Sequence, residues 1–234
     1  MNEDYPTSVF RKSKAGEYAT TIPRETVERA GISDQDRVAI IPRCTEGSLV
    51  LELEMNPGYQ GANVVSVKMQ GPRNRQAVLR PPRRFCAVLR LEDVTVAWDG
   101  SSTPLRAELN REPLLNPGYL GAFENATATS VTRRSSGTYS ATLPTRKVQA
   151  VGFSKSDLIR VWFDCLQGVS LFLLSTGDPD VDGLDQFRLQ MAGPESGQPR
   201  VTVTRPLGDA LELAERQIEW VANPSHDRLL GRLG

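Results

Sequence analysis

The sequence predicts a mainly β protein with short helices. It is arranged as two β-barrels, each formed by an intrachain pair of β-hairpin–helix–β-hairpin units, in the order A-B-A-B. Three observations predict this. The octapeptides GEYATTIP (16–23) and GTYSATLP (137–144) repeat one pattern 121 positions apart, and a hairpin turn, short strand and proline stop form a supersecondary unit. Each is followed at the same spacing by a β-rich run, 15 residues from Pro23 to Val38 and 15 from Pro144 to Ile159. Prolines at 23, 82, 144 and 206 then set a period close to 60 residues.

In the first unit SVFRKS alternates as a strand, KAGE turns, and YATTI returns. Pro23 suits a first helical position, where its missing N–H is no loss. Glu25 suits the positive end of the helix, Val27 and Ala30 give it an apolar side, and Gly31 is placed to take a left-handed cap. DRVAIIP and SLVLELE then form a second hairpin across RCTEG. The second A unit repeats this with Gly152, Phe153 and Asp157 in place of Gly31, Ile32 and Asp36.

The B units are weaker copies around Pro82 and Pro206. Here the proline-to-strand step is 12 residues, to Val94 and Ile218, and no glycine stop is present. The shared shortening predicts a helix about one turn shorter in both. MQGP (69–72) and MAGP (191–194) precede them as matching turns, and NPGYQGA (56–62) and NPGYLGA (116–122) read as tight-turn connectors. A unit of this size buries too little apolar area to stand alone, so two units interlocking their hairpins would close exposed strand edges. The predicted domains are residues 1–123 (units 8–55 and 64–115) and 124–234 (units 129–175 and 186–232).

Composition removes several function classes. Lys and Arg total 28, as do Asp and Glu, so no global field draws the chain to nucleic acid or membrane. Cys44, Cys86 and Cys165 are far apart with no CxxC, and His226 is the only histidine, so no metal site is expected and the thiols read as reduced. Phosphate-loop, zinc-protease and nucleophile-elbow motifs are missing, and His226 lies in a turn-like NPSHD. The expectation is a non-enzyme with no cofactor. The start MNEDYPTSVF has no signal-peptide character, and no run reaches the ~18 apolar residues of a membrane span. A cytoplasmic protein without membrane partners is expected. Trp98, Trp162 and Trp220 fall on or near third strands and read as core or rim residues.

Charge is uneven along the chain. Residues 1–60 carry seven basic and ten acidic side chains, and residues 61–123 carry nine and five. From Lys68 to Arg90 there are seven basic residues and no acid. Arginines so grouped suit phosphate neutralisation, with affinity that falls steeply with salt. The same group also suits an arginine surface in solvent, or a patch docked on a protein partner or on the acidic first unit. In the second half only Arg133, Arg134, Arg146, Lys147, Arg200 and Arg205 lie in comparable places.

VFRKSKAGEYATTIPRETVERAGISDQDRVAI and, less fully, VTRRSSGTYSATLPTRKVQAVGFSKSDLIRV resemble the AbrB/SpoVT/MazE-like swapped-hairpin DNA-binding domains. The resemblance covers about 45 residues in each A unit and reaches the B units through the repeat. It implies that each predicted barrel is a swapped-hairpin barrel, normally made by two chains and here by one. It also implies a transcriptional regulator contacting duplex DNA through the first hairpin and the helix start. The residues so assigned are Arg11, Lys12, Lys14, Arg24, Lys68, Arg73, Arg75, Arg80, Arg83, Arg84, Arg133, Arg134, Arg146 and Lys147. Glu17 and Thr138 stand where regulators of the family often have a basic residue. The alternative is a protein-interaction scaffold or an antitoxin-like partner on the same fold. The chain is then a monomer, or a dimer of single-chain pseudo-dimers.

Overall fold

Short helices that follow a proline or a threonine and stop at a left-handed residue set the rhythm of the chain. The computed structural model describes residues 5–45, 48–71, 76–177, 183–192 and 197–234, and is mainly β with short helices and curled sheets. The first segment runs β1 (Thr7–Val9), β2 (Arg11–Lys12), β3 (Tyr18–Ile22), α1 (Arg24–Ala30), β4 (Arg37–Cys44) and β5 (Leu49–Met55). The second runs β6 (Val64–Ser66), β7 (Lys68–Gln70), β8 (Gln76–Leu79), α2 (Arg83–Val88), β9 (Thr95–Asp99) and β10 (Leu105–Asn110). The third contains β11 (Thr127–Arg133), β12 (Tyr139–Thr142), α3 (Thr145–Ala150), β13 (Leu158–Leu166) and β14 (Val169–Thr176). The fourth contains β15 (Gln186–Arg188), β16 (Gln190–Ala192), β17 (Gln198–Val203), α4 (Arg205–Ala210), β18 (Gln217–Asn223) and β19 (Arg228–Leu233).

The helix boundaries correct three sequence expectations. Pro23, Pro82 and Pro144 sit one residue before their helices rather than inside them, in extended conformations with ψ of 150°, 137° and 120°. In the fourth segment that place belongs to Thr204, with Pro206 inside the first turn. The B helices are also no shorter by a turn, since α2, α3 and α4 all have six residues. Eight residues after the residue that precedes each helix the chain turns left-handed, at Gly31 (φ 66°), Arg90 (54°), Gly152 (73°) and Glu212 (52°). The B units therefore keep the stop and fill it with a non-glycine residue. They lose a single residue before the second left-handed position, Asp93 and Glu215 against Gln35 and Ser156.

The stretch SVFRKS breaks at Phe10 because the chain changes partners there. Before the break β1 pairs with β9, and after it β2 pairs with β3. Phe10 is fully buried, donates its N–H to Val94 (2.9 Å) and accepts from Asp93 (3.0 Å). Val67 does the reverse, bonding to Asp36 and Gln35 while β6 pairs with β4. Strand β3 pairs with β8 between them. The second half has the same arrangement: β11 pairs with β18, β15 with β13 and β12 with β17, with Val131 and Leu189 at the crossings.

Trp98 and Trp220 are buried and donate Nε1–H to Ser8 Oγ and Thr129 Oγ1, each at 2.8 Å. The indole of each third strand thus ties down the first strand of its companion. NPGYLGA departs from the turn expectation, since Pro117–Asn125 is a 3-10 helix. Its Phe123 packs with Leu115, Leu166 and Leu230 in a small apolar cluster, a role that the corresponding NPGYQGA stretch has no Leu or Phe to fill.

Among the described residues the strand pairings stay within Thr7–Asn110 or within Thr127–Leu233. The apolar core does not stop there, because one continuous cluster runs from Phe10 and Trp98 to Phe163 and Trp220. The helices explain the join. Helix α1 buries only Thr26 and Val27 and α3 only Val148, whereas α2 buries Phe85, Cys86 and Val88, and α4 buries Leu207, Gly208 and Ala210. Helix α2 packs on β13, α4 packs on β4, and α2 meets α4. The B helices thus form the seam and the A helices face outward.

Candidate nucleic-acid interface

The turn after β2 and the start of α2 come from different segments, yet they meet. Gly16 takes φ 76°, which lets the hairpin close tightly, and a side chain at this position would touch Arg83 at 3.9 Å. In the second half Gly137 takes φ 80° and would touch Arg205 at 3.3 Å. Arg83 and Arg205 are both the first residue of their helices, so they hold equivalent places.

Three grooves follow from this geometry. The first, about 650 Å³, is lined by Lys12, Lys14, Gly16, Arg83, Arg90 and Trp162, with Glu92 and Asp185 as its carboxylates. The second, about 710 Å³, lies between the starts of α2 and α4 and carries Arg83, Arg84, Arg188 and Arg205 with no carboxylate. The third, about 440 Å³, is formed by the turn Arg133–Gly137 and Arg205. Arg83 is common to the first and second grooves and Arg205 to the second and third. A basic strip therefore crosses the seam.

Several of its cations have local partners. Lys12 contacts Glu92 at 3.0 Å, a hydrogen bond that raises its pKa above the ordinary lysine value, and stands 5.7 Å from the Tyr18 ring. Arg83 lies 3.7 Å from Glu17, Arg205 3.4 Å from Asp209, and Arg133 3.8 Å from Asp209. The pairs with Glu92 and Glu17 face solvent and contribute about 0–1 kcal/mol each, so Lys12 and Arg83 can exchange a carboxylate for a phosphate at small cost, whereas Asp209 has only 10% of its side chain exposed. Tyr139 donates to Asp209 Oδ1 at 2.8 Å, and burial first, then this bond, pushes its phenol up. Among the described residues Lys14, Arg84 and Arg134 have no carboxylate within 4.0 Å. Arg84 stacks over Phe187 at 5.2 Å, and Arg134 donates to Ser140 Oγ (3.1 Å) and Gln190 Oε1 (2.9 Å).

Of the residues assigned from sequence, the structure brings together Lys12, Lys14, Arg83, Arg84, Arg133 and Arg134. Arg11, Arg24, Lys68, Arg80, Arg146 and Lys147 line none of the three grooves. Arg11 reaches Asp93 at 3.8 Å, Arg24 holds Glu28 at 2.6 Å one turn along α1, and Lys147 donates to the Asn125 carbonyl. Arg73 and Arg75 lie outside the described residues. The nucleic-acid assignment omitted Arg90, Arg188 and Arg205. Arg205 was recoverable by aligning Thr204 rather than Pro206 with Pro82, which places it opposite Arg83. Arg188 carries no motif, and only the fold of β15 brings it to the seam.

Trp162 is half-buried on β13, donates to Asp185 Oδ2 at 2.7 Å and lies between the guanidinium groups of Arg160 (5.3 Å) and Arg90 (5.9 Å). Its ring is thus engaged by protein cations. Among the described residues no group of three His, Cys, Asp or Glu side chains is placed to hold a metal ion, and no helix is long and apolar enough to cross a membrane. No protein-family model matches the chain, and no curated protein or solved structure matches it significantly.

Proposed function

We propose that this chain is a duplex-DNA-binding transcriptional regulator of the AbrB-like type. In this reading residues 1–123 and 124–234 are two swapped-hairpin barrels joined in one molecule. The reciprocal pairings β1–β9 with β6–β4, and β11–β18 with β15–β13, support the exchange of first strands within each half. The observation that carries the functional reading is the strip that Arg83 and Arg205 make continuous across the seam. Guanidinium forks suit phosphate oxygens, and a strip spanning both halves matches a backbone that runs past both. The reading includes no enzymatic role and no cofactor.

The test is binding to generic duplex DNA over a salt series. Each phosphate contact adds about 0.9 to the log–log salt slope, so Arg83→Glu/Arg84→Glu should flatten it and lose most of the affinity. Arg24→Glu/Arg146→Glu, off the strip, should change affinity little. Failure of the unmodified chain to bind at low salt would overturn the reading. The carboxylates Glu17, Glu92 and Asp209 placed beside these cations would then favour a protein-interaction scaffold.

A further inference from the structure

Cys44 ends β4, and Cys165 lies next to the end of β13. They are 121 residues apart, the same interval as the turn glycines Gly16 and Gly137, and each follows an Asp by eight positions (Asp36, Asp157). They are one position of the A unit, present twice. At the seam these two positions face each other. Cys44 Sγ contacts the carbonyl of Asp164, the residue before Cys165, at 3.8 Å. Cys165 Sγ contacts the carbonyl of Thr45, the residue after Cys44, at 3.5 Å. Each thiol thus reaches across the seam to the backbone beside the other.

Their surroundings distinguish them from the third cysteine. Cys44 is only partly buried, so a small reagent reaches the pair, whereas Cys86 is sealed in α2 against the Pro81 carbonyl at 3.8 Å. The interaction of the two side chains pulls the Cys165 thiol below its ordinary value and pushes Cys44 up, which makes Cys165 the more acidic thiol of the pair. Burial pushes Cys86 up and leaves it inert.

We propose that Cys44 and Cys165 are an oxidative modification site, a dithiol that closes into a disulfide between the two halves with a low-molecular-weight disulfide as oxidant. One protein thiolate attacks a sulfur of the small disulfide, expelling one thiol and leaving a mixed disulfide. The other cysteine then attacks the protein sulfur and expels the second thiol. Two protein S–H bonds are lost, one S–S bond forms, and the oxidant leaves as two thiols. Closure needs an S–S distance of about 2.05 Å, a local movement of two side chains that each already contact the backbone beside the other. The product staples β4 to β13 across the seam, and the site stands independently of the DNA reading.

The experiment equilibrates the full chain with stepped ratios of oxidised to reduced glutathione, alkylates free thiols, and maps peptides by mass spectrometry. Two thiols should be lost together as a Cys44–Cys165 cross-linked peptide, while Cys86 stays alkylatable. Cys86→Ser should reproduce the result, and Cys44→Ser should abolish the cross-link. Glutathione retained on Cys165 or Cys44 without a cross-link, full alkylation at every ratio, or a disulfide that includes Cys86 would each overturn the proposal.

Discussion

Arg111 and Asp164 form an ion pair of 2.7 Å that joins the first half of the chain to the second, with 8% and 6% of their side chains exposed. Arg111 also donates to the carbonyls of Leu89 (2.6 Å) and Phe163 (3.3 Å), and Asp164 accepts from the Leu114 N–H (2.6 Å). Burial lowers the Arg111 pKa and the Asp164 charge opposes that, which leaves a guanidinium that stays protonated at neutral pH. Removing one partner strands a buried charge. Asp164→Ala should cost about 3–5 kcal/mol in urea unfolding, and the apolar pair Arg111→Met/Asp164→Leu should recover part of it. A loss under about 0.5 kcal/mol for the single variant would remove the pair from the stability of the seam.

Gly208 lies under the Tyr139 ring, where a Cβ would clash with ring carbons. Gly208→Ala should therefore cost about 1–3 kcal/mol as an overpacked helix, although alanine is the better helix former. Chemical denaturation would show it. A stabilised variant would mean that the α4–β12 contact is looser than described.

Tyr139 gives a pH dependence with a definite sign. Its folded pKa is above the ordinary 10.0, so over that alkaline range the unfolded chain loses the phenolic proton before the folded one does. Stability is then full below about pH 10 and falls as pH rises, because the native state binds the proton more tightly. Tyr139→Phe should flatten this alkaline decline and remove amplitude from the late phase of the ultraviolet phenolate titration. An unchanged late phase would reject it.

Arg205 should behave as the counterpart of Arg83. Arg205→Glu and Arg83→Glu should weaken duplex binding to similar degrees and each reduce the salt slope by about 1 or more. Arg24→Glu, whose side chain holds Glu28, should leave the slope unchanged. Equal effects of all three would show a diffuse attraction rather than a strip.

The hairpins, the short helices and the left-handed stops at Gly31 and Gly152 were legible because each depends on local residue chemistry. The seam was not. Nothing near Phe85 or Leu207 announces that these side chains meet the other half of the chain, since their apolar spacing serves equally for a local core. Arg83 and Arg84 came from charge counting, which finds clusters along the chain, and Lys12 and Lys14 from the family resemblance of the first hairpin. Arg188 and Arg205 enter the strip through β15 and α4, neighbours only after folding. Arg90 and Glu212 in place of Gly at the B-unit stops hid the equivalence of Thr204 and Pro82, because a non-glycine left-handed residue leaves little trace in composition.

The crossing residues Phe10, Val67, Val131 and Leu189 each place a segment's first strand beside its companion's third. In an association of identical chains, every amino-acid change would appear on all copies of that strand at once. If the four segments are copies of one unit, as proposed above, each has its own codons, so one can diverge while the others stay fixed. That freedom is visible in the helices, where α2 and α4 are apolar enough to be covered and α1 and α3 remain polar enough to face water. Covalent continuity also keeps the companions together at any dilution, so the fold needs no threshold of protein concentration to assemble.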